Sequence, residues 1–520
     1  MGDDRMDQKK TEKVIFMICG VLGVVFLAVF GVFLIRMGKS SERSTEMAEQ
    51  VEEPSVTEGG EMSASAGSAA QEIILQNGNG ENGQDAGVAD LTESGSDVSA
   101  SEGAPVVFTS NASQSTEGDW LFVEGNRIVD ASGKPVWLTG INWFGYNTGT
   151  NCFDGLWTCD LNSSIKAIAD HGFNILRIPI STQLLLQWKN GEYPTANFNQ
   201  ATNDYLVGMN SLEIFDYVLD LCEQNGIKVL LDTHCAMTNA SGHTVNLWVD
   251  GEIDEADFIE AWVWVADRYK NNDTIIAFDL KNEPHGKPYE QNKAIWNDST
   301  DPNNWKYVAE KTAAQILAVN PNVLILIEGL EIYPVDITSN GDYHSTDEDD
   351  YYFNWWGGNL RGVRDYPVDL GEFNNKLVYS PHDYGPTVYQ QPWFYDGYDY
   401  DSLLEDCWRD NWFYIYEDGT APLLLGEWGG FMREPNLTWM THLRTLIGKY
   451  HLHYTFWCFN ANSGDTGGLV LDDFTTWDEE KYAFVKEVLW QQDGMFVGLD
   501  HEIPLGANGI TLTEAEYENW

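Results

Sequence analysis

The sequence predicts an α/β fold, a closed (β/α)8 TIM barrel, and three observations carry that prediction. Eight short apolar runs recur along the chain and read as strands buried on both faces, the pattern of a parallel sheet. Amphipathic helical stretches fall between them. Eight such units in a segment of this length fit a closed barrel rather than an open sheet.

The chain has 520 residues, and a distinct N-terminal part precedes the barrel. Residues 1–13 carry Arg5, Lys9, Lys10 and Lys13 and are expected in the cytoplasm. Val14 to Ile35 is an uncharged apolar run long enough to span a bilayer as a single transmembrane helix. It is longer than the usual core of a signal peptide, and no clear small-residue cleavage motif follows it. The expectation is a single-pass signal anchor in the cell membrane, with the bulk of the chain extracellular. A cleaved signal peptide and a secreted product are the alternative. Residues 36–117 are dominated by Ser, Glu, Gly, Ala, Asn and Asp, with almost no aromatics. Such a segment buries too little apolar surface to offset chain entropy and is expected to be a disordered acidic linker.

The barrel is expected over residues 118–492. A small hairpin within Leu121 to Gly133, turning at Glu124-Gly125-Asn126, introduces it. The eight strands are read at Val136–Trp143, Asn174–Ile180, Lys228–Thr233, Ile275–Lys281, Val323–Glu328, Lys376–Pro381, Pro422–Gly426 and Tyr454–Phe459. Helices are read at Ile165–His171, Leu212–Asn225, Phe258–Tyr269, Trp305–Val319 and Trp439–Tyr450. Residues 493–520 carry no strong pattern and are expected to form a partly ordered tail.

In a barrel of this kind the chemistry sits at the C-terminal ends of the strands. Those ends deliver Asn142 and Trp143, then Arg177, then Asp232 and His234, then Asn282 and Glu283, then Glu328, then His382 and Tyr384, then Glu427, and finally Trp457 and Asn460. An arginine in an apolar strand is, taken alone, an ordinary ion-pair partner. The convergence of the whole set on one mouth is what core packing does not explain. Glu283 closes the phrase Phe278-Asp279-Leu280-Lys281-Asn282-Glu283-Pro284, and Glu427 stands in Leu423-Leu424-Leu425-Gly426-Glu427-Trp428-Gly429. Two carboxylates at strand ends are the minimum equipment for cleaving a glycosidic bond by acid/base and nucleophilic chemistry.

Composition narrows the partners. There are 81 acidic against 29 basic side chains and a net charge of -52, which weighs against nucleic acid or any polyanionic substrate. The 21 tryptophans supply flat faces of the kind that stack on sugar rings, although core packing accounts for about half of them. No CxxC or Cys/His pair has zinc spacing, and His451-x-His453 lies at the wrong end of the eighth strand, so no metal and no cofactor are expected. Among the seven cysteines, Cys152 or Cys159 could bridge to Cys235 outside the cell, the pairing being open. Cys222, Cys407 and Cys458 read equally well as buried thiols.

With these residues in order, the chain resembles glycoside hydrolase family 5 from Trp120 to about Gln492. Gly140-Ile141-Asn142-Trp143-Phe144-Gly145, Trp355-Trp356-Gly357-Gly358-Asn359-Leu360 and Ser463-Gly464-Asp465-Thr466-Gly467-Gly468 resemble its bacterial endo-β-1,4-glucanase (cellulase) branch. The resemblance implies a retaining endo-β-1,4-glucanase with Glu283 as acid/base and Glu427 as nucleophile. Arg177, His234, Asn282, His382 and Tyr384 would support them. Trp457 would floor the cleaved sugar, and Trp157, Trp355 or Trp356, and Tyr389 are candidates for flanking subsites. A mannanase, xyloglucanase or other β-glycanase is the alternative within the family. The expected partners are a β-glucan polysaccharide or oligosaccharide and, through the N-terminal helix, a membrane. The chain is expected to act as a monomer.

Overall fold

The computed structural model describes residues 106–108, 113–338 and 343–516. The expected anchor at 14–35 and most of the expected linker lie outside these residues. Among the described residues, no helix is long and apolar enough to cross a membrane.

A hairpin of β1 (Phe122–Glu124) and β2 (Arg127–Val129) leads into the barrel strands β3 (Thr139–Asn142), β4 (Ile175–Ser181), β5 (Lys228–Cys235), β6 (Ile275–Asp279) and β7 (Leu324–Ile327). A second hairpin, β8 (Ile332–Pro334) with β9 (Tyr351–Phe353), decorates the loop after β7. The barrel resumes with β10 (Leu377–Tyr379), β11 (Leu424–Leu425) and β12 (His453–Phe456). The eight barrel strands are all parallel, in the order β10-β7-β6-β5-β4-β3-β12-β11. Two further parallel bridges, Tyr379 with Leu423 and His382 with Glu427, close the ring between β10 and β11.

All eight expected strands form, and each is buried along its whole length. Helices on the outside explain this, because a parallel sheet covered on both faces needs apolar residues on both. The five expected helices form as Leu161–Asp170, Ser211–Gln224, Glu255–Arg268, Trp305–Val319 and Asn436–Tyr450. Reciprocal capping boxes start two of them, Asn210 with Glu213 and Asp254 with Asp257. The helix Thr182–Lys189 follows β4 without a loop, and Ser181 both ends the strand and caps the helix by accepting from the Leu184 amide at 3.0 Å. An expectation built on separated periodic runs has no means of finding it.

The floor of the barrel, at the N-terminal ends of the strands, corrects two expected boundaries. Gln114 and Asn375 exchange side-chain hydrogen bonds, and the Ser115 amide donates to Asn322 at 2.6 Å. The linker therefore ends before residue 113, not at 117. At the other end, residues 493–516 do not trail away. β13 (Gln491–Gln492), β14 (Met495–Val497) and β15 (Gly509–Ile510) form a small sheet, and the chain returns under the barrel. The buried Lys228 ammonium lies 2.5 Å from Asp119 and 2.9 Å from Asp500, so one lysine holds both ends of the described domain. His501 adds a contact to Asp119 at 2.5 Å. The six described cysteines are all buried free thiols, so no bridge joins Cys152 or Cys159 to Cys235.

Candidate active site

Arg177 is the hub of the polar layer inside the barrel. Its position in β4 turns its side chain inward between Leu176 and Ile178, which face the helices. The guanidinium is fully buried and meets four carboxylates: Asp232 at 3.2 Å, Asp279 at 3.0 Å, Glu328 at 3.3 Å and Glu427 at 2.8 Å. It also donates to the side-chain oxygens of Asn142 and Asn282 at 3.0 and 3.2 Å. One guanidinium does not balance four buried carboxyls. Burial pushes Asp232 and Asp279 up to about 6 and Glu328 up to about 8, against the pull of Arg177 and His382.

Glu427 follows β11 and projects into this layer, with both oxygens engaged. Oε1 accepts from Arg177 Nη1 at 2.8 Å, and Oε2 accepts from the Tyr384 hydroxyl at 2.6 Å. Burial and the nearby Glu427 hold the Tyr384 phenol far above its ordinary range, so it stays a donor. The residue before the nucleophile candidate has to be small. A Cβ at Gly426 would come within 2.7 Å of His382 Nε2.

Glu283 sits in the turn that leaves β6, in the left-handed region at φ 52°. That conformation is costly for a glutamate and marks a position fixed by its surroundings. The Glu283 amide donates to Glu328 Oε2 at 2.6 Å, and its Oε1 faces His382 Nδ1 at 3.0 Å. His382 Nε2 lies 3.2 Å from Glu328 and Nδ1 lies 3.7 Å from Glu427, so the imidazole stands amid three carboxylates. Burial disfavours its charge, but Glu328, Glu427 and Glu283 outweigh burial and hold His382 well above the usual imidazole range. For Glu283, burial pushes upward, and the hydrogen bond and charge of His382 outweigh it and bring the carboxyl down to about 2. The general-acid reading expects a proton on Glu283; in the unliganded site that proton rests on His382, one hydrogen bond away.

An oxygen of Glu283, one of Glu427 and a ring nitrogen of His382 all lie within 4.8 Å of one another. Asp279, Glu328 and His382 form a second trio of this kind. Neither suits a metal ion while His382 is protonated, since both its nitrogens then donate and offer no lone pair.

Comparison with known proteins gives the family. The family described as Cellulase (glycosyl hydrolase family 5) matches residues 129–463. The chain belongs to glycosyl hydrolase family 5. It is 49% identical to endoglucanase G of Acetivibrio thermocellus over 447 residues, covering 79% of this chain and 78% of that one. It is 48% identical to endoglucanase B of the same organism over 432 residues, covering 76% and 77%. Among solved structures, the hyperthermophilic endocellulase of the archaeon Pyrococcus horikoshii superposes with a TM-score of 0.64 at 33% identity, over 72% of this chain and all of that one.

Around the carboxylates, the family 5 barrel places the remaining candidates unevenly. Asn282 gives its oxygen to Arg177, while its buried amide nitrogen has no partner and is left to donate. His234 is fixed by a 2.7 Å contact from Nδ1 to Asp232, and burial holds the ring neutral. Its face stacks along Trp457, with ring centroids 5.7 Å apart and planes 5° apart. Phe144 stacks against the same indole at 5.4 Å, and Ser463 accepts from its N–H at 3.1 Å. Trp457 is therefore a fixed plate.

The flanking aromatics divide. Trp356 stacks on His285 at 3.8 Å, and His285 Nδ1 in turn meets the Glu283 carbonyl oxygen at 2.6 Å. Trp355 is buried edge-on to Tyr384 at 6.1 Å and serves as wall rather than platform. Trp157 and Tyr389 are exposed, at 39% and 66%, and Trp157 packs edge-on against Phe474 at 5.5 Å. Three participants escaped the sequence reading. Asp279 ends β6 in register with Asp232, on the same inward face as Arg177, and that shared face was the available signal. Phe144 and His285 act by stacking, which no spacing rule reports.

Proposed function

We propose that this protein is a retaining endo-β-1,4-glucanase acting on cellulose or related β-glucans. The observation that carries the reading is the pairing of Glu283 and Glu427, with oxygens within 4.8 Å of each other and His382 between them. Retaining glycosidases hold their carboxyls about 5–5.5 Å apart, whereas inverting ones leave a wider gap for a water. The substrate class follows from the endoglucanase names of the relatives at 48–49% identity.

In this reading Glu427, its charge steadied by Arg177 and Tyr384, attacks the anomeric carbon. His382 Nδ1 first passes its proton to Glu283 across 3.0 Å, and the glycosidic bond breaks as Glu283 hands that proton to the leaving oxygen, which leaves Glu283 bare and His382 neutral. The covalent glycosyl-enzyme is then opened by water. That water's proton goes to Glu283 and back to His382, which restores the starting state with retained configuration. Asn282 Nδ2 is the free donor for the sugar 2-hydroxyl, and Trp457 forms the floor of the subsite.

The apolar run at Val14 to Ile35 supports a single-pass membrane anchor with the barrel outside the cell, joined by the acidic linker. The enzyme would act as a monomer. Reducing-sugar release from cellulosic, mannan and xyloglucan substrates, with product anomers followed by proton NMR, tests the proposal. Initial release of the α-anomer, or a preference for mannan, would overturn it.

A further inference from the structure

We infer that Asp383 is a positioning residue for this reaction, whose carboxyl, fastened to the helix layer through Trp439, sets His382 and Tyr384 against the two catalytic carboxylates. The inference rests on the roles given above to Glu283 and Glu427.

Asp383 lies between the two residues that contact the carboxylates from the β10 side. His382 meets Glu283 at 3.0 Å, and Tyr384 donates to Glu427 at 2.6 Å. The Asp383 amide donates to the Glu427 carbonyl oxygen at 3.1 Å, across the seam that closes the barrel. Successive side chains of an extended segment point to opposite sides, so Asp383 faces the helices while its neighbours face the site. There its Oδ1 accepts from the Trp439 indole N–H at 2.8 Å. The indole N–H groups of Trp408 and Trp412, both fully buried, also act on this carboxyl without reaching good hydrogen-bonding geometry. The segment is seated tightly on the same helix. A Cβ at Gly385 would fall 2.0 Å from Asn436 and 2.6 Å from the Trp439 ring.

The arrangement carries a cost that packing alone does not motivate. The side chain is fully buried, its Oδ2 has no partner, and an apolar residue would fill the same space more cheaply. Burial pushes the carboxyl up to about 8 against the indole contacts, so the group is neutral at mildly acidic pH. An amide at this position would then preserve both the charge state and the oxygen that Trp439 holds.

The test compares the full-length D383A, D383N and W439F variants in kcat and KM on a soluble cello-oligosaccharide, with near-ultraviolet circular dichroism as the folding control. D383A is expected to lose about 10- to 100-fold in kcat with KM within about twofold, the cost of a small misplacement of reacting groups. D383N should restore kcat to within about threefold, and W439F should fall between. A folded D383A or W439F with wild-type kcat overturns the inference, as does a loss confined to KM or a D383N as impaired as D383A. W439F keeps the test alive if D383A does not fold. An active E427Q would instead overturn the underlying assignment and not this one alone.

Discussion

His382 and Glu427 face each other as the last parallel bridge of the barrel, so the seam where the ring of strands closes is also where the two carboxylates proposed to act in catalysis meet. Closure and catalysis share the same backbone hydrogen bonds. A change that loosens the seam should therefore act on turnover before it acts on the fold as a whole.

Replacing either carboxylate isosterically tests the central pair. E427Q and E283Q are each expected to lower kcat on a β-glucan by about 10²- to 10⁴-fold or more with the fold intact. E283Q should be far less impaired in releasing a good aryl leaving group from an aryl cellobioside, because that group needs no proton. Burst kinetics on the aryl substrate is the measurement.

Tyr384→Phe removes the donor to Glu427 Oε2 and little else. A hydrogen bond to a charged group contributes about 1.5–3 kcal/mol, so kcat should fall roughly 10- to 100-fold with a smaller change in KM. Steady-state kinetics on cellohexaose would read the split.

Arg177→Lys keeps the charge and loses the fork. Four carboxylates and two asparagine oxygens share the guanidinium, and an ammonium does not reach them all. Stranding buried carboxylates costs about 3–5 kcal/mol, so the variant should unfold at markedly lower urea concentration as well as lose activity.

The pH dependence of stability has a definite sign. Glu328 is raised to about 8 and His382 is also raised. A group with a raised folded-state pKa stabilises fully below its unfolded pKa and loses that contribution as pH rises through the folded value. Thermal stability should therefore decline from about pH 5 to pH 8, each such group adding at most about 1.4 kcal/mol per pH unit. E328Q should flatten the slope. The Glu283 carboxyl, brought down to about 2, acts oppositely, adding stability that is lost only as pH falls below the ordinary glutamate range. Melting curves across pH 3–9 for both proteins would decide it.

A fragment spanning residues 113–516 should be soluble and active. One starting at Trp120 loses Asp119 from the buried Lys228 and should be less stable by about 1–3 kcal/mol, measurable by urea unfolding.

Most of the barrel was legible in the chain because apolar runs of strand length, covered on both faces, leave a strong trace. Glu283 and Glu427 were legible because each ends such a run. β11 has only two paired residues, yet the run from Leu423 to Leu425 still revealed it. What escaped depends on tertiary detail. Asp383 faces helices whose tryptophans come from 25 to 56 positions downstream in sequence, so no local pattern announces the contact. The tail after Gln492 has no periodicity, and single hydrogen bonds hold it, such as those from Lys134 to the Leu512 and Ala515 carbonyls. The protonation of His382 at the expense of Glu283 arises only when three carboxylates surround one imidazole, which spacing does not encode.

The lysine beneath the barrel has a further consequence. Because Asp119 and Asp500 are fastened to Lys228 at the strand starts while Glu283 and Glu427 stand at the strand finishes, both ends of the described domain meet on the side opposite the cleft. Alterations at either terminus of the described domain therefore strain the far face of the barrel first and reach the cleft only through the strands themselves.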